Sequence, residues 1–362
     1  MERRLGRRHA SVFAEGSLAH LQPRQPLSRF RSSRRVEELR LQAEPVPSLH
    51  QDLQFLAPGF SHSDAAWRAV AQDADHQHRA PHVSERGGRE LNGFEKLWFD
   101  AKAALRAAMI SEVAVQDGPY RTVFLCENRT QAYRALSLWV KEVGTMEWIE
   151  RSVRPGERFL DIGANVGIYT LAAAHRVGET GRVYAVEPHK PNAVSLMRNV
   201  LRNRLQDRVD VLTTPLADRR MVATFYYKDL SPSSTGSQLD ATHVAGKEFI
   251  PAASEVVLGL SVDELIEAKA IEAPHHVKID VDGIELSILQ GMSALLGSPE
   301  RPLSVQVELN VGEQEAIESF MSAKGYKLDH RHFTANGKRQ LAAGKQISQI
   351  AHNAVFVPAE AP

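Results

Sequence analysis

The chain has 362 residues, 43% of them hydrophobic, and its 44 Lys and Arg balance 44 Asp and Glu. That length can hold two domains, but the charge balance leaves no net field to draw the chain to nucleic acid or a membrane surface. No apolar run is long enough to span a bilayer, and the single Cys126 excludes an intrachain disulfide and suits a reducing compartment, so a cytoplasmic location is expected.

Residues 1–90 are crowded with arginine, beginning with Arg3, Arg4, Arg7 and Arg8, and their sparse apolar residues keep no period. Little is available there to offset the entropy of ordering. The segment therefore reads as a disordered extension with short helices near Val36 to Leu41 and Ala65 to Ala71. A targeting or anion-binding arm is the competing reading, but a signal-peptide apolar core is missing.

Residues 91–155 form a helical and strand lead-in, expected to act as a lid beside a ligand cleft. Phe94, Leu97, Trp98, Ala101, Leu105 and Met109 recur at helical spacing. Arg121 to Cys126 reads as a strand, with Cys126 a buried small residue rather than a nucleophile. Thr145 is placed to cap a helix carrying Met146, Trp148 and Ile149, which stops at Arg154-Pro155-Gly156. Trp139 and Trp148 suit a packed core better than stacking on a substrate.

Residues 156–358 carry the chemistry. Arg158 to Ile162 is a buried strand, Gly163 and Gly167 bracket a tight turn around Asn165, and Ile168, Leu171 and Ala172 begin a helix that stops at Gly178. Glycines there let backbone approach a ligand closely, and the helix amides favour a negative group. The spacing is not the dinucleotide pattern G-x-G-x-x-G. The next strand, Arg182 to Val186, ends in Glu187, a carboxylate that can accept from both hydroxyls of a ribose. Pro191 suits the first turn of a helix through Leu201, with Val194, Met197 and Leu201 on one face.

Arg208 to Leu212 is a third strand, and Ala217-Asp218 follows it. Val222 to Lys228 and Glu255 to Leu260 read as added strands around a polar, flexible loop, Ser231 to Ser237. Ser261 and Glu264 make a capping box. The strand at Lys278 to Val281 ends in Asp280, with Asp282 placed to cap a helix near Ile284 and Glu285 in that helix's first turn. Val305 to Asn310 ends in acid and amide alike, Ala316 to Met321 suggests a helix, and Ala354 to Val357 closes the sheet.

Asp161, the Gly163/Gly167 turn and Glu187 resemble the S-adenosylmethionine site of class I methyltransferases. Val277-Lys278-Ile279-Asp280-Val281-Asp282-Gly283-Ile284-Glu285 with Leu289-Gln290-Gly291 narrows this to a resemblance to the FkbM family. So do Glu187-Pro188 and the upstream Leu138-Trp139-Val140-Lys141-Glu142 with Thr145 and Trp148. The resemblance covers residues 118 to 357, and its clearest departure is Asp282, where many members carry Glu. It implies a doubly wound α/β fold with a mostly parallel seven-stranded sheet, its last strand antiparallel, and helices on both faces.

The resemblance also implies S-adenosylmethionine as cofactor, held by Asp161, Gly163, Asn165, Gly167, Glu187 and Asp218. Asp218 can meet the adenine amino group or act as a turn residue. The reaction implied is O-methylation of a sugar or natural-product hydroxyl, a small-molecule or glycan acceptor. Asp280 is the candidate base, equally able to bind the cofactor's ammonium, and His243 is a second candidate that a solvated loop histidine would also explain. Asp280, Glu308 and Asn310 end neighbouring strands, so Mg2+ is a possible but disfavoured helper, and no metal ligands are assigned. An NAD oxidoreductase and a non-catalytic cofactor-binding protein remain as alternatives.

Overall fold

The computed structural model describes residues 92–360 apart from Glu142, Ala245 and Gly246. The arginine-rich segment with its two expected helices, and Glu142 of the upstream motif, lie outside the described residues. A helix, Gly93–Ala108, leads into a hairpin of β1 (Ser111–Asp117) and β2 (Tyr120–Cys126), and the helices Arg129–Leu136, Leu138–Lys141 and Val143–Ser152 follow. Strands then alternate with helices: β3 (Arg158–Ile162), the helix Ile168–Val177, β4 (Arg182–Val186), the helix Lys190–Arg202 and β5 (Val209–Leu212). An insertion contributes β6 (Met221–Tyr227), β7 (Gln238–Leu239), β8 (His243–Val244), β9 (Lys247–Glu248) and β10 (Ala253–Gly259). After the helix Val262–Glu267 come β11 (His276–Ile279), the helices Glu285–Gln290 and Ser293–Leu296, β12 (Ser304–Leu309), the helix Gln314–Ala323, β13 (Tyr326–His332), the helix Ala335–Ala342 and β14 (His352–Pro358).

Seven strands make the central sheet in the order β13-β14-β12-β11-β3-β4-β5. β12, β11, β3, β4 and β5 are parallel, and β14 runs antiparallel to both its neighbours, as expected. Alternating residues supply the two cores. Phe159, Val183 and Ala185 pack with Trp148 and Leu171 on one face, whereas Leu160, Ile162, Val277 and Ile279 pack with Leu289 and Leu296 on the other. From β3 the chain proceeds to β4 and β5 on one side, then returns to β11 and β12 on the other. That reversal opens a crevice at the carboxyl ends of β3 and β11.

The lead-in belongs to this core. Trp148 is buried and its Nε1 donates to Ser304 Oγ at 3.0 Å. Thr145 does not cap its helix: it sits inside Val143–Ser152, buried, and accepts from Gln306 Nε2 at 3.1 Å. A bidentate pair, Arg176 to Asp117 at 2.6 and 2.9 Å, ties the hairpin to the helix Ile168–Val177.

Two apolar stripes read from spacing face outward. Phe94, Leu97 and Leu105 are exposed, as are Val194, Met197 and Leu201. The helix Lys190–Arg202 instead buries Ala193, Leu196 and Val200 together with Asn192, Ser195 and Asn199. Asn199 Oδ1 accepts from the Leu125 amide and Asn203 Oδ1 from the Val123 amide, both at 2.8 Å. The edge of β2 has unpaired backbone groups, and side-chain amides meet that need where another strand would otherwise pair.

Candidate active site

A cleft of about 280 Å3 opens where the topology predicts, at the carboxyl ends of β3, β4, β11 and β12. The turn after β3 forms its floor. Gly163 has φ +79°, and a Cβ there would lie 2.0 Å from the Asp280 carbonyl oxygen, so the glycine admits the backbone of β11 rather than a ligand. Asn165 is also left-handed, at φ +51°. Its amide donates to Glu187 Oε2 at 2.6 Å, and its side-chain Nδ2 reaches the Ser234 carbonyl at 3.1 Å.

Glu187, at the end of β4, lines the cleft while only 5% exposed. Its Oε1 accepts from the His189 amide at 2.9 Å. Burial pushes the carboxyl up to about 7 against the pull of these bonds. His189 caps the next helix: its Nε2 lies 2.8 Å from the Asp229 carbonyl and so carries the proton, leaving Nδ1 to face the Asn192 amide.

Acids converge opposite. Asp280 lines the cleft, with Lys278 Nζ 3.5 Å from its Oδ2. Glu308, on the neighbouring strand, is held well above the usual carboxylate range, first by the charge of Asp280 and then by burial. Glu285 is fully buried and accepts from the Val281 and Gly283 amides; burial raises it to about 7. It lies in the first turn of its helix as expected, but Asp282 does not cap that helix, whose N-cap is Ile284. Asp282 Oδ2 instead accepts from the Gly236 amide at 2.9 Å. Among the described residues no group of three or more His, Cys, Asp or Glu is arranged to hold a metal ion.

The polar loop is pinned across the cleft. Ser233 donates to Asn192 Oδ1 at 2.7 Å, Ser234 Oγ donates to Asp229 at 2.6 Å, and Asn128 Nδ2 reaches the Pro232 carbonyl at 2.9 Å. Ser234 to Ser237 line the cleft. Beside them a smaller apolar recess is walled by Pro215, Leu216, Phe225 and Ile288.

Gly163, Asn165, Glu187 and Asp280 thus meet in one cleft, from segments far apart in the chain. Four other expected residues do not line it. Asp161 is fully buried behind the floor, with Thr170 Oγ1 donating to it at 2.6 Å. Gly167 starts the helix Ile168–Val177 at φ +92°, where a Cβ would meet Leu196 at 2.5 Å. Asp218 accepts from the Arg219 guanidinium at 2.6 Å. His243 is exposed on β8. Lys278 was legible as a charge inside the apolar run Val277 to Ile279, whereas Arg134, Tyr169 and Asn192 enter the cleft from helices that carry no chemical signature.

Comparison with known proteins adds a family. Residues 161–328 match the methyltransferase FkbM domain. The chain is 25% identical over 248 residues to the hexuronic acid methyltransferase AglP of Haloferax volcanii, covering 67% of this chain and 94% of that protein. It is 28% identical over 169 residues to the ribosomal RNA large subunit methyltransferase E of Nitratidesulfovibrio vulgaris, covering 41% of this chain and 79% of that one. Among solved structures, a putative rRNA methylase from Clostridium thermocellum aligns at TM-score 0.38 and 14% identity, over 61% of this chain and 98% of the other.

Proposed function

The chain belongs to the FkbM methyltransferase family through the domain at residues 161–328, and from that premise we propose that it transfers a methyl group from S-adenosylmethionine to a hydroxyl of a sugar or similar small molecule. The observation that carries this reading is the Glu187 carboxylate facing the cleft beside the Gly163 to Asn165 turn. It can accept from both ribose hydroxyls, the apolar recess of Leu216, Phe225 and Ile288 suits an adenine ring, and the acids opposite suit an ammonium. When bound, S-adenosylmethionine supplies a methyl group already activated on sulfur.

The protein's own work is then alignment, dehydration and proton removal. Asp280 is the group we assign to take the acceptor's proton, with Lys278 holding it from behind. Glu308 is held well above the usual carboxylate range, first by the charge of Asp280 and then by burial, which suits it to the donor's role and leaves Asp280 the acceptor's. Ser234 to Ser237 cover the cleft and present hydroxyls and amides to the acceptor. Support for a sugar comes from the hexuronic acid methyltransferase relative; the ribosomal RNA relative supports methyl transfer and leaves the acceptor open.

The first test is ligand stabilisation. S-adenosylmethionine is expected to raise the melting temperature, and NAD to leave it unchanged. A shift with NAD alone would favour the oxidoreductase reading. Transfer of a labelled methyl group to uronic acids and neutral sugars then tests the acceptor class.

A further inference from the structure

The cleft presents the cationic side chains Arg134, Lys141 and Lys278. Lys278 is committed to Asp161 and Asp280 and lies 5.1 Å from the Tyr169 ring centre. Lys141 already has a partner. Arg134 differs. Its Nε is enclosed by protein yet meets no acceptor, and its guanidinium forms no ion pair among the described residues, though its charge reaches the Asp282 carboxyl. The same guanidinium lines the cleft wall, so its terminal N–H groups are what a ligand oxyanion would meet.

Its position is built. The helix Arg129–Leu136 is capped by Asn128, whose Nδ2 is bonded to the cleft loop at Pro232, and Gln131 Nε2 on its buried face donates to Ser195 Oγ at 3.2 Å. Arg134 is therefore held over the cleft from two sides. A planar guanidinium offers paired N–H groups that match a carboxylate.

We propose that Arg134 is the carboxylate receptor of this cleft. Resting on the methyl-transfer reading, two carboxylates are available: that of the cofactor's methionine portion, and an acid group on the acceptor. Both present the same planar oxyanion, and binding assays separate them.

Calorimetry compares S-adenosylhomocysteine, which carries the amino-acid carboxylate, with 5′-methylthioadenosine, which lacks it. Sodium glucuronate and glucose are titrated with and without S-adenosylhomocysteine. Wild type, Arg134→Gln and Arg134→Lys are used; removing the guanidinium breaks no hydrogen bond or ion pair among the described residues. The expected result is a loss of about 10- to 100-fold in carboxylate binding in Arg134→Gln, on the scale of one charge-assisted pair, with partial rescue in Arg134→Lys. If S-adenosylhomocysteine weakens while 5′-methylthioadenosine does not, the cofactor is the source. If only glucuronate binding is lost, with glucose never bound, the acceptor is the source. Unchanged S-adenosylhomocysteine affinity with no Arg134-dependent glucuronate binding overturns the proposal. Wild-type protein that binds neither adenosine ligand sinks the cofactor reading instead, and the glucuronate titration then decides Arg134 alone.

Discussion

Lys278 Nζ lies 3.3 Å from Asp161 Oδ1, with both side chains shut away from solvent. The pair follows from register: Lys278 on β11 is directly opposite Asp161 on β3. Lys278 also stands 3.5 Å from Asp280 Oδ2, so one ammonium joins the acid behind the cleft floor to the acid inside the cleft. In the proposed reaction Asp161 would act through Lys278, as a positioning residue.

Lys278→Met is expected to destabilise the protein by about 3–5 kcal/mol, because it leaves the Asp161 charge buried without a counter-ion. Adding Asp161→Asn should recover much of that loss. Denaturant titration checks both; a double variant no more stable than the single would mean that the pair is not what holds the strand ends.

In the proposed function Glu187 is expected to set the pH dependence of cofactor binding. Its carboxyl is raised to about 7, first by burial, whereas ribose hydroxyls donate best to the ionised form. Binding therefore favours proton release, so affinity should rise with pH toward about 7 and level off above it. Glu187→Gln should flatten the profile, and Glu187→Ala should cost about 2–3 kcal/mol at neutral pH. Calorimetry across pH is the check, and a flat wild-type profile would remove Glu187 from the ribose site.

Gly163→Val is expected to lower stability and binding together. A glycine needed only for close approach to a ligand would spare the sheet when replaced, but a Cβ at Gly163 would lie 2.0 Å from the Asp280 carbonyl oxygen. Gly283→Ala is the control: φ is +118° and nothing lies within 4 Å, so only conformational strain of about 1–3 kcal/mol is expected. Melting curves that put the two variants level would contradict the steric account.

Burial raises Glu285 to about 7 from its ordinary 4.5. Between those values the native state binds more protons than the unfolded chain, so this group makes stability fall as pH rises through that window. Glu285→Gln should remove part of the slope. Denaturation midpoints at several pH values test it, and an unchanged slope would place the titration elsewhere.

Where residues adjacent in the chain determined the outcome, the sequence was legible. The strand and glycine turn around Asp161 to Gly167, the acid ending the next strand at Glu187 and the Ser261 capping box all have local signatures, whereas the antiparallel last strand was implied by the family resemblance alone. The outward stripe of Val194, Met197 and Leu201 misled because spacing identifies a face without naming what lies against it. The buried face of that helix holds Ala193, Leu196 and Val200 beside Asn199, whose Oδ1 accepts from the edge of β2.

By itself, then, the sequence determined the central strands β3, β4, β5, β11 and β12 in their chain order, the glycine turn and the family motifs, since these depend on backbone preference and alternation within a few residues. Only the tertiary structure decided which acids face the cleft. Parallel register set Lys278 opposite Asp161 and left Asp280 at the opening. The return of a distant loop gave Asp282 the Gly236 amide in place of a helix end. Such roles depend on which strands become neighbours, a consequence of burying two faces of one sheet that no local stretch of residues encodes.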